Sequence, residues 1–321
     1  MATVTVEAER LTRRFAARAA VDELTFTARR GEILGLLGPN GAGKTTVIRL
    51  LSTVLTPTTG DFSVAGIPAV RSADIRRRVG VPPEGAGYPG HQTGRDFLRY
   101  HARLFGLTRA DAAAVADRLL AEVGLGERGS TRISAYSRGM RQRLGIARAP
   151  LNDPAVVLLD EPTLGLDPAA RRQVLGIVRD IAHRTGATVV LSTHAMPDVE
   201  QVCTTVLVLD RGRVVVSGTV GEVTRAVAVR GSARLRVPVE LVGRATEAVT
   251  RTAGVTVEVV DEPDTLRIAL TGETAGPPGG ADAMNAALQA LLGAGVPVLS
   301  FEVESVRLTD AFLATTGDGA Q

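Results

Sequence analysis

Apolar residues at Val4 and Val6, and then at Val21, Leu24 and Phe26, mark short strands before Gly31. EILGLL (32–37) is different: an apolar run of strand length that ends at a glycine. After GPNGAGKTT the period changes, and Val47, Leu50, Leu51 and Val54 recur at helical spacing. The local order is therefore strand, glycine-rich loop, helix. From about Ser72 to Pro150 the stretches RDFLRYHARLFGL and ADAAAVADRLLAEVGL replace strands with arginine-rich helical pattern, which predicts an inserted helical subdomain. Strands return at AVVLLD (155–160) and TVVLS (188–192), with a helix near Ala169–His183 between them. Strands alternating with helices predict a mostly parallel sheet covered on its faces. VLVLD, the turn Arg211-Gly212 and RVVVS then read as a hairpin, followed by a short helix to about Ala228.

Beyond Gly231 the pattern restarts. It runs strand (Leu235, Val237), helix (Leu241, Ala245, Ala248, Val249), strand VTVEVV, strand LRIAL, the loop TGETAGPPGG, a helix carrying Met284, Ala287, Leu288, Leu291 and Leu292, and strand LSFEVESV. That βαββαβ order predicts a ferredoxin-like α+β unit, with a final helix RLTDAFLATTG before a frayed tail.

Length agrees with two units, since 321 residues is about two domains at roughly 150 residues each. The one cysteine, Cys203, forms no internal bridge and reads as a buried filler on an apolar helix face. With no secretory leader pattern it points to a reducing cytosolic compartment, and no run of 18 apolar residues spans a bilayer. Aromatics at 3%, with no Trp, argue against stacking platforms for single-stranded nucleic acid.

Charge sharpens the division. The net +3 is uneven, because residues 1–230 hold 31 basic against 22 acidic groups while 231–321 hold 6 against 12. Most of the basic excess lies in 72–150, with 14 arginines against 7 acidic residues. The chain has a single lysine, Lys44, among 37 basic residues, and it stands inside the glycine-rich loop.

That loop, Gly38, Pro39, Asn40, Gly41, Ala42, Gly43, Lys44, Thr45 and Thr46, satisfies G-x-x-x-x-G-K-[ST] between a buried strand and a helix. Such a loop turns its amides toward phosphate oxygens, the helix N-terminus adds positive potential, Lys44 reaches the β and γ phosphates, and Thr45 offers a hydroxyl to Mg²⁺. The motif alone fits a GTPase, a kinase or an ATPase. At the end of AVVLLDEP, Asp160 is placed to hold Mg²⁺ through water and Glu161 to act on the attacking water as general base. Two carboxylates at a strand end also occur as solvated loop residues; beside a phosphate loop the catalytic reading prevails.

YSRGMRQRLGIARA (136–149) resembles the ABC ATPase signature, which other phosphate-loop enzymes lack. The order of the remaining motifs is similar to that family over roughly residues 3–225. Phe15 precedes the loop where an adenine-stacking aromatic lies, though a packed core aromatic is the alternative. PPEG (82–85) matches the Q-loop with Glu84 where glutamine is usual, LGLD (164–167) matches the D-loop with Asp167, and His194 in STH stands at the switch position. The chain resembles most the drug-resistance, daunorubicin-type exporter ATPase.

The resemblance implies an α/β phosphate-loop ABC ATPase domain over 1–228, with a mostly parallel sheet, an antiparallel β subdomain and a helical subdomain at about 72–150. A ferredoxin-like accessory domain over 232–316 and a tail at 317–321 follow. It implies ATP and Mg²⁺ as ligands, Glu161 and His194 as catalytic groups, and Thr45 and Asp160 at the metal. Ser137, Arg138, Gly139 and Met140 would serve the ATP of a second copy, giving a head-to-tail homodimer on ATP binding. Independently of the family, Ser137 is a good N-cap, Gly139 lets a phosphate approach the backbone, and Pro150 ends the signature helix.

The function implied is an ATP-hydrolysing subunit that powers a separate multi-span permease for drug or hydrophobic natural-product efflux. Its place would be cytoplasmic, on the inner face of the cell membrane through that permease, with no nucleic acid partner. A soluble ABC ATPase acting on ribosomes or DNA is the alternative, although neither a second ATPase domain nor a long coiled-coil insertion is seen. A silent nucleotide-binding regulator conflicts with Lys44, Asp160, Glu161 and His194 occurring together. His91, His101 and His183 show no metal-ligand spacing and read as solvated or packed.

Overall fold

The structure, a computed structural model, describes residues 3–16, 18–83, 88–223, 232–252, 254–259, 262–270 and 279–304. The chain divides into two compact units, Met1–Val220 and Gly221–Gln321.

In the first unit, long strands β1 (Val4–Phe15) and β2 (Arg18–Arg29) pair antiparallel, and β4 (Thr59–Val64) and β5 (Ile67–Pro68) extend that sheet in the order β2-β1-β4-β5. The second sheet holds β3 (Ile33–Leu37), β6 (Val79–Gly80), β7 (Val156–Asp160), β8 (Thr188–Thr193), β9 (Thr205–Asp210) and β10 (Arg213–Thr219). Its order is β10-β9-β3-β8-β7-β6, parallel throughout except for the β9–β10 hairpin. Both residues of the hairpin turn, Arg211 and Gly212, have positive φ, the backbone a two-residue turn between right-twisted strands demands.

The unbroken apolar runs have a direct cause: β3, β7 and β8 face two cores. Val157 and Leu159 point into a core shared with α3 (Gly94–Leu104), α4 (Arg109–Glu122), α5 (Arg138–Arg148) and α6 (Pro168–Thr185). Val156 and Leu158 point the other way, into a core closed by α1 (Lys44–Leu51) and the antiparallel sheet. Removing both faces from water leaves no position for a polar side chain until the strand ends. There the first polar groups appear, and there the site lies.

Two local readings are corrected. Helix α1 stops at Leu51, and Val54 is 70% exposed rather than part of its apolar face. The stretch after Ser72 is not helical throughout, because α2 (Ser72–Arg78) leads into β6 at the edge of the parallel sheet. Pro150 sits in a 3₁₀ turn, Ala149–Asn152, directly after α5. Helix α7 (Met196–Val202) links β8 to β9.

The second unit has strands β11 (Ser232–Arg236), β12 (Val255–Val259), β13 (Thr265–Leu270) and β14 (Ser300–Glu304), all antiparallel, in the order β12-β13-β11-β14. Helices Val242–Thr250 and Gly279–Gly293 complete its core through Ala245, Val249, Met284, Ala287 and Leu291. Leu292 falls outside that stripe and is 66% exposed. Glu84, the helix toward Ala228 beyond Val223, most of TGETAGPPGG, and RLTDAFLATTG with the tail lie outside the described residues.

Candidate active site

Parallel strands β3, β7 and β8 end side by side, so Gly38, Asp160 and Thr193 emerge at one edge, where open α/β sheets place ligands. Leaving β3, the loop is fixed by two close backbone approaches. A Cβ on Gly38 would lie 2.3 Å from Leu209 O, and one on Gly43, whose φ is +104°, 2.3 Å from Ala20 O. Pro39 is half-buried and Asn40 and Gly41 are exposed at the tip, while Ala42 is buried. The Gly212 amide donates to Ala42 O at 3.0 Å, and Gly212 O accepts from the Asp22 amide at 2.8 Å, so the β9–β10 turn props the loop from behind.

Lys44 opens α1 and is buried, which an ammonium tolerates only with partners. Its Nζ donates to Gly38 O at 2.7 Å and Pro39 O at 3.0 Å, and lies 3.4 Å from Glu161 Oε1. The ammonium is therefore held at the loop's centre, within reach of any phosphate the loop cradles. Thr46 follows Thr45 on the same first turn and is half-buried.

Strand register builds the carboxylate pair. Asp160 lies opposite Ser192 across β7 and β8. The Ser192 hydroxyl donates to Asp160 Oδ1, and Thr45 Oγ1 donates to the same oxygen at 3.2 Å. Thr45 and Asp160 thus present two hard oxygens together, the donor type that suits Mg²⁺ with water filling the other positions. Ser192 also accepts the Glu161 amide, through Oγ at 2.9 Å and the carbonyl at 3.2 Å. Glu161 has φ +45°, a strained backbone for a non-glycine residue, and these two bonds hold it there. The strain swings the carboxylate off the strand line, so that Oε1 faces Lys44 and Oε2 meets His194 Nδ1 at 2.9 Å.

The signature segment lies on the same unit with its business end open. Ser137 caps α5 by accepting the Met140 amide at 3.2 Å, and both Ser137 and Arg138 are exposed. Met140 packs against the helical core. A Cβ on Gly139 would touch Ala170 of α6 at 3.4 Å, so Gly139 lets α5 and α6 meet closely. Arg138 lies against Gly165, and Asp167 caps α6 by accepting the Ala169 and Ala170 amides at 2.9 Å. A cavity of about 840 Å³ runs from Thr45, Asp160 and Glu161 to Arg138, Arg141 and Gln142.

Phe15 is 46% exposed, which excludes the packed-core alternative. Arg13 Cζ stands 4.8 Å from its ring centre, and its strand partner Arg18 reaches toward the loop tip at Gly41. His91 and His183 are exposed, and His101 is packed on Phe97 with Nδ1 2.9 Å from Phe97 O. Cys203 caps the end of α7 against Gly35, and burial pushes its thiol up to about 12.

Sequence reasoning missed Ser192 and Gly212. The serine's signal was available: a hydroxyl at the end of an apolar strand, two residues before His194. The glycine's tie to the loop has no local signal, because it joins residues far apart in the chain.

The family pattern described as ABC transporter matches residues 21–164. A daunorubicin resistance ATP-binding protein, DrrA3 of Streptomyces coeruleorubidus, is 35% identical over 99% of this chain and 98% of that protein. A solved structure described as the ATP binding subunit of an ABC transporter is 32% identical with a TM-score of 0.62, covering 69% of this chain and 92% of that one. A dimeric post-hydrolysis state of an ATP-binding cassette bound to ADP and Pi shares the fold at 21% identity and a TM-score of 0.60, covering 67% of this chain and 98% of that one.

Proposed function

The chain belongs to the ABC transporter family of ATP-binding subunits, of the drug-resistance type, and from that premise we propose that it powers a separate multi-span permease exporting a drug or hydrophobic natural product. It is an ATPase, and the observation that carries the site assignment is the convergence of Lys44, Asp160, Glu161 and His194 at one sheet edge. Bound Mg²⁺ would be held by Thr45 and, through water, Asp160, supplying charge for the β and γ phosphates.

The residues then divide the work. The loop amides from Gly38 to Thr46 and the Lys44 ammonium hold the phosphates, and Phe15 stacks on the adenine. Glu161 takes a proton from the attacking water as its oxygen bonds to the γ-phosphorus and the bond to ADP breaks. His194, tied to Glu161 through Nδ1, steadies the transferred phosphoryl group. Release of ADP and phosphate leaves the carboxyl to return its proton to solvent.

Two copies complete each site. Ser137 already caps its own helix and is exposed, so its hydroxyl and the Gly139 backbone are free to meet the phosphates on a second protomer, with Asp167 alongside. The neighbour solved as a dimer with ADP and Pi supports this arrangement. A two-fold homodimer has two equal sites. ATP closes the pair, hydrolysis opens it, and the helical subdomain passes the motion to the permease.

Among the described residues no helix is long and apolar enough to cross a membrane. Attachment to the inner face of the cell membrane therefore depends on the permease. The test is fractionation with and without the co-expressed permease. Recovery in membranes only with the permease is expected; recovery with ribosomes or DNA would overturn the transport role.

A further inference from the structure

We propose that Asp198 is a positioning residue that ties the base Glu161, the capped helix behind Asp167 and the His194 segment into one unit; this rests on the catalytic reading of Glu161 and His194 above. Its side chain is 1% exposed, yet it lies on none of the motifs that name the family. A carboxylate so enclosed must find donors, and it finds two. The Thr163 hydroxyl donates to Oδ2 and Arg171 Nε to Oδ1.

Those two donors belong to different working segments. Thr163 stands two residues past Glu161 across Pro162, and the Leu164 amide bonds back to Glu161 O at 3.1 Å, so the segment from 161 to 164 moves as one turn. Arg171 is in the first turn of α6, its amide bonded at 2.9 Å to the carbonyl of Asp167, the residue that caps the helix. Asp198 itself lies in the first turn of α7, its amide on Ala195 O at 3.0 Å, one residue beyond His194. The Glu161–His194 contact closes the loop at its far side. A shift of α7 therefore moves His194 and pulls on Thr163 together.

Buried ion pairs add little net stability against apolar packing, so stability alone gives weak reason for this network. Holding three segments to one carboxylate gives a stronger one, because a misplacement of about 1 Å at a catalytic group costs rate.

Thr163→Val removes the hydroxyl at nearly constant volume and leaves the Asp198–Arg171 pair in place; Thr163→Ser keeps the hydroxyl. The full-length chain is assayed for ATP hydrolysis per nucleotide-binding molecule, and hydrogen exchange is followed over residues 161–167 and 195–202. Thr163→Val is expected to lower kcat about tenfold with KM for ATP within about twofold, while Thr163→Ser stays within about twofold of the parent. Exchange is expected to rise in both segments of Thr163→Val and in neither of Thr163→Ser. Parent-like kcat in Thr163→Val, or a loss of kcat matched by loss of nucleotide binding, would overturn the positioning role. Should the parent fail to hydrolyse ATP, the catalytic reading falls by itself, and unchanged exchange in Thr163→Val then overturns the link independently.

Discussion

Glu161 Oε2 lies 2.9 Å from His194 Nδ1, a contact made although the two residues follow different strands. It exists because Glu161 leaves β7 with positive φ and because β8 sets His194 two residues past Ser192. The contact fixes the orientation of the imidazole ring through Nδ1, and under the proposed function Nε2 is the nitrogen left for the phosphoryl group. The other Glu161 oxygen meets Lys44 at 3.4 Å, so one carboxylate links the phosphate loop to the switch segment.

Glu161→Gln keeps the size of this group and removes its basicity. Turnover is expected to fall about 10²- to 10⁴-fold while ATP binding persists. Steady-state phosphate release beside equilibrium nucleotide binding checks both halves. Near-parent hydrolysis would assign the base elsewhere.

Ser192→Ala removes one donor to Asp160 and one acceptor from the strained Glu161 amide. The Glu161 amide keeps the Ser192 carbonyl at 3.2 Å, so folding is expected to survive. The rate is expected to drop about tenfold, equivalent to ~1.4 kcal/mol of transition-state stabilisation. Single-turnover ATPase assays on the purified variant measure it.

Two glycines give opposite outcomes. Gly43→Ala sets a methyl 2.3 Å from Ala20 O at φ +104° and is expected to abolish ATP binding, read by titration calorimetry. Gly176 lies inside α6 with nothing within 4 Å of an added Cβ, so Gly176→Ala is expected to stabilise the fold by about 0.5–1 kcal/mol in chemical denaturation.

His101 gives a pH signature. Burial holds its pKa below the usual 6.5, opposed by the Phe97 carbonyl and reinforced by Arg148. The unfolded chain therefore takes up the proton first, so its contribution to stability is full above about pH 6.5 and is lost as pH falls below that value. Melting temperature is expected to fall between pH 7 and 5, and His101→Gln to flatten part of that slope.

The sequence carried the phosphate loop, the carboxylates, the signature cap and strands β3, β7 and β8, because each rests on a local motif or on the apolar run of a strand covered on both faces, whereas the short strands β4, β5 and β6 carry no such run. Val54 was misplaced because α1 ends at Leu51 before the apolar spacing does, and Leu292 because it stands on the exposed face of its helix. Ser192, Gly212 and Asp198 acquire meaning only through pairing between distant segments: β8 on β7, the β9–β10 turn on the loop, α7 on α6. Spacing along one chain cannot encode those meetings.

Closure of two copies around ATP is the claim on which the account rests. Sedimentation velocity of Glu161→Gln, with and without Mg-ATP, tests it most directly. A monomer that becomes a dimer holding two ATP molecules, and reverts to monomer when Ser137→Arg is added although ATP still binds, is the expected result. A monomer at saturating ATP, or a dimer unaffected by Ser137→Arg, would contradict it.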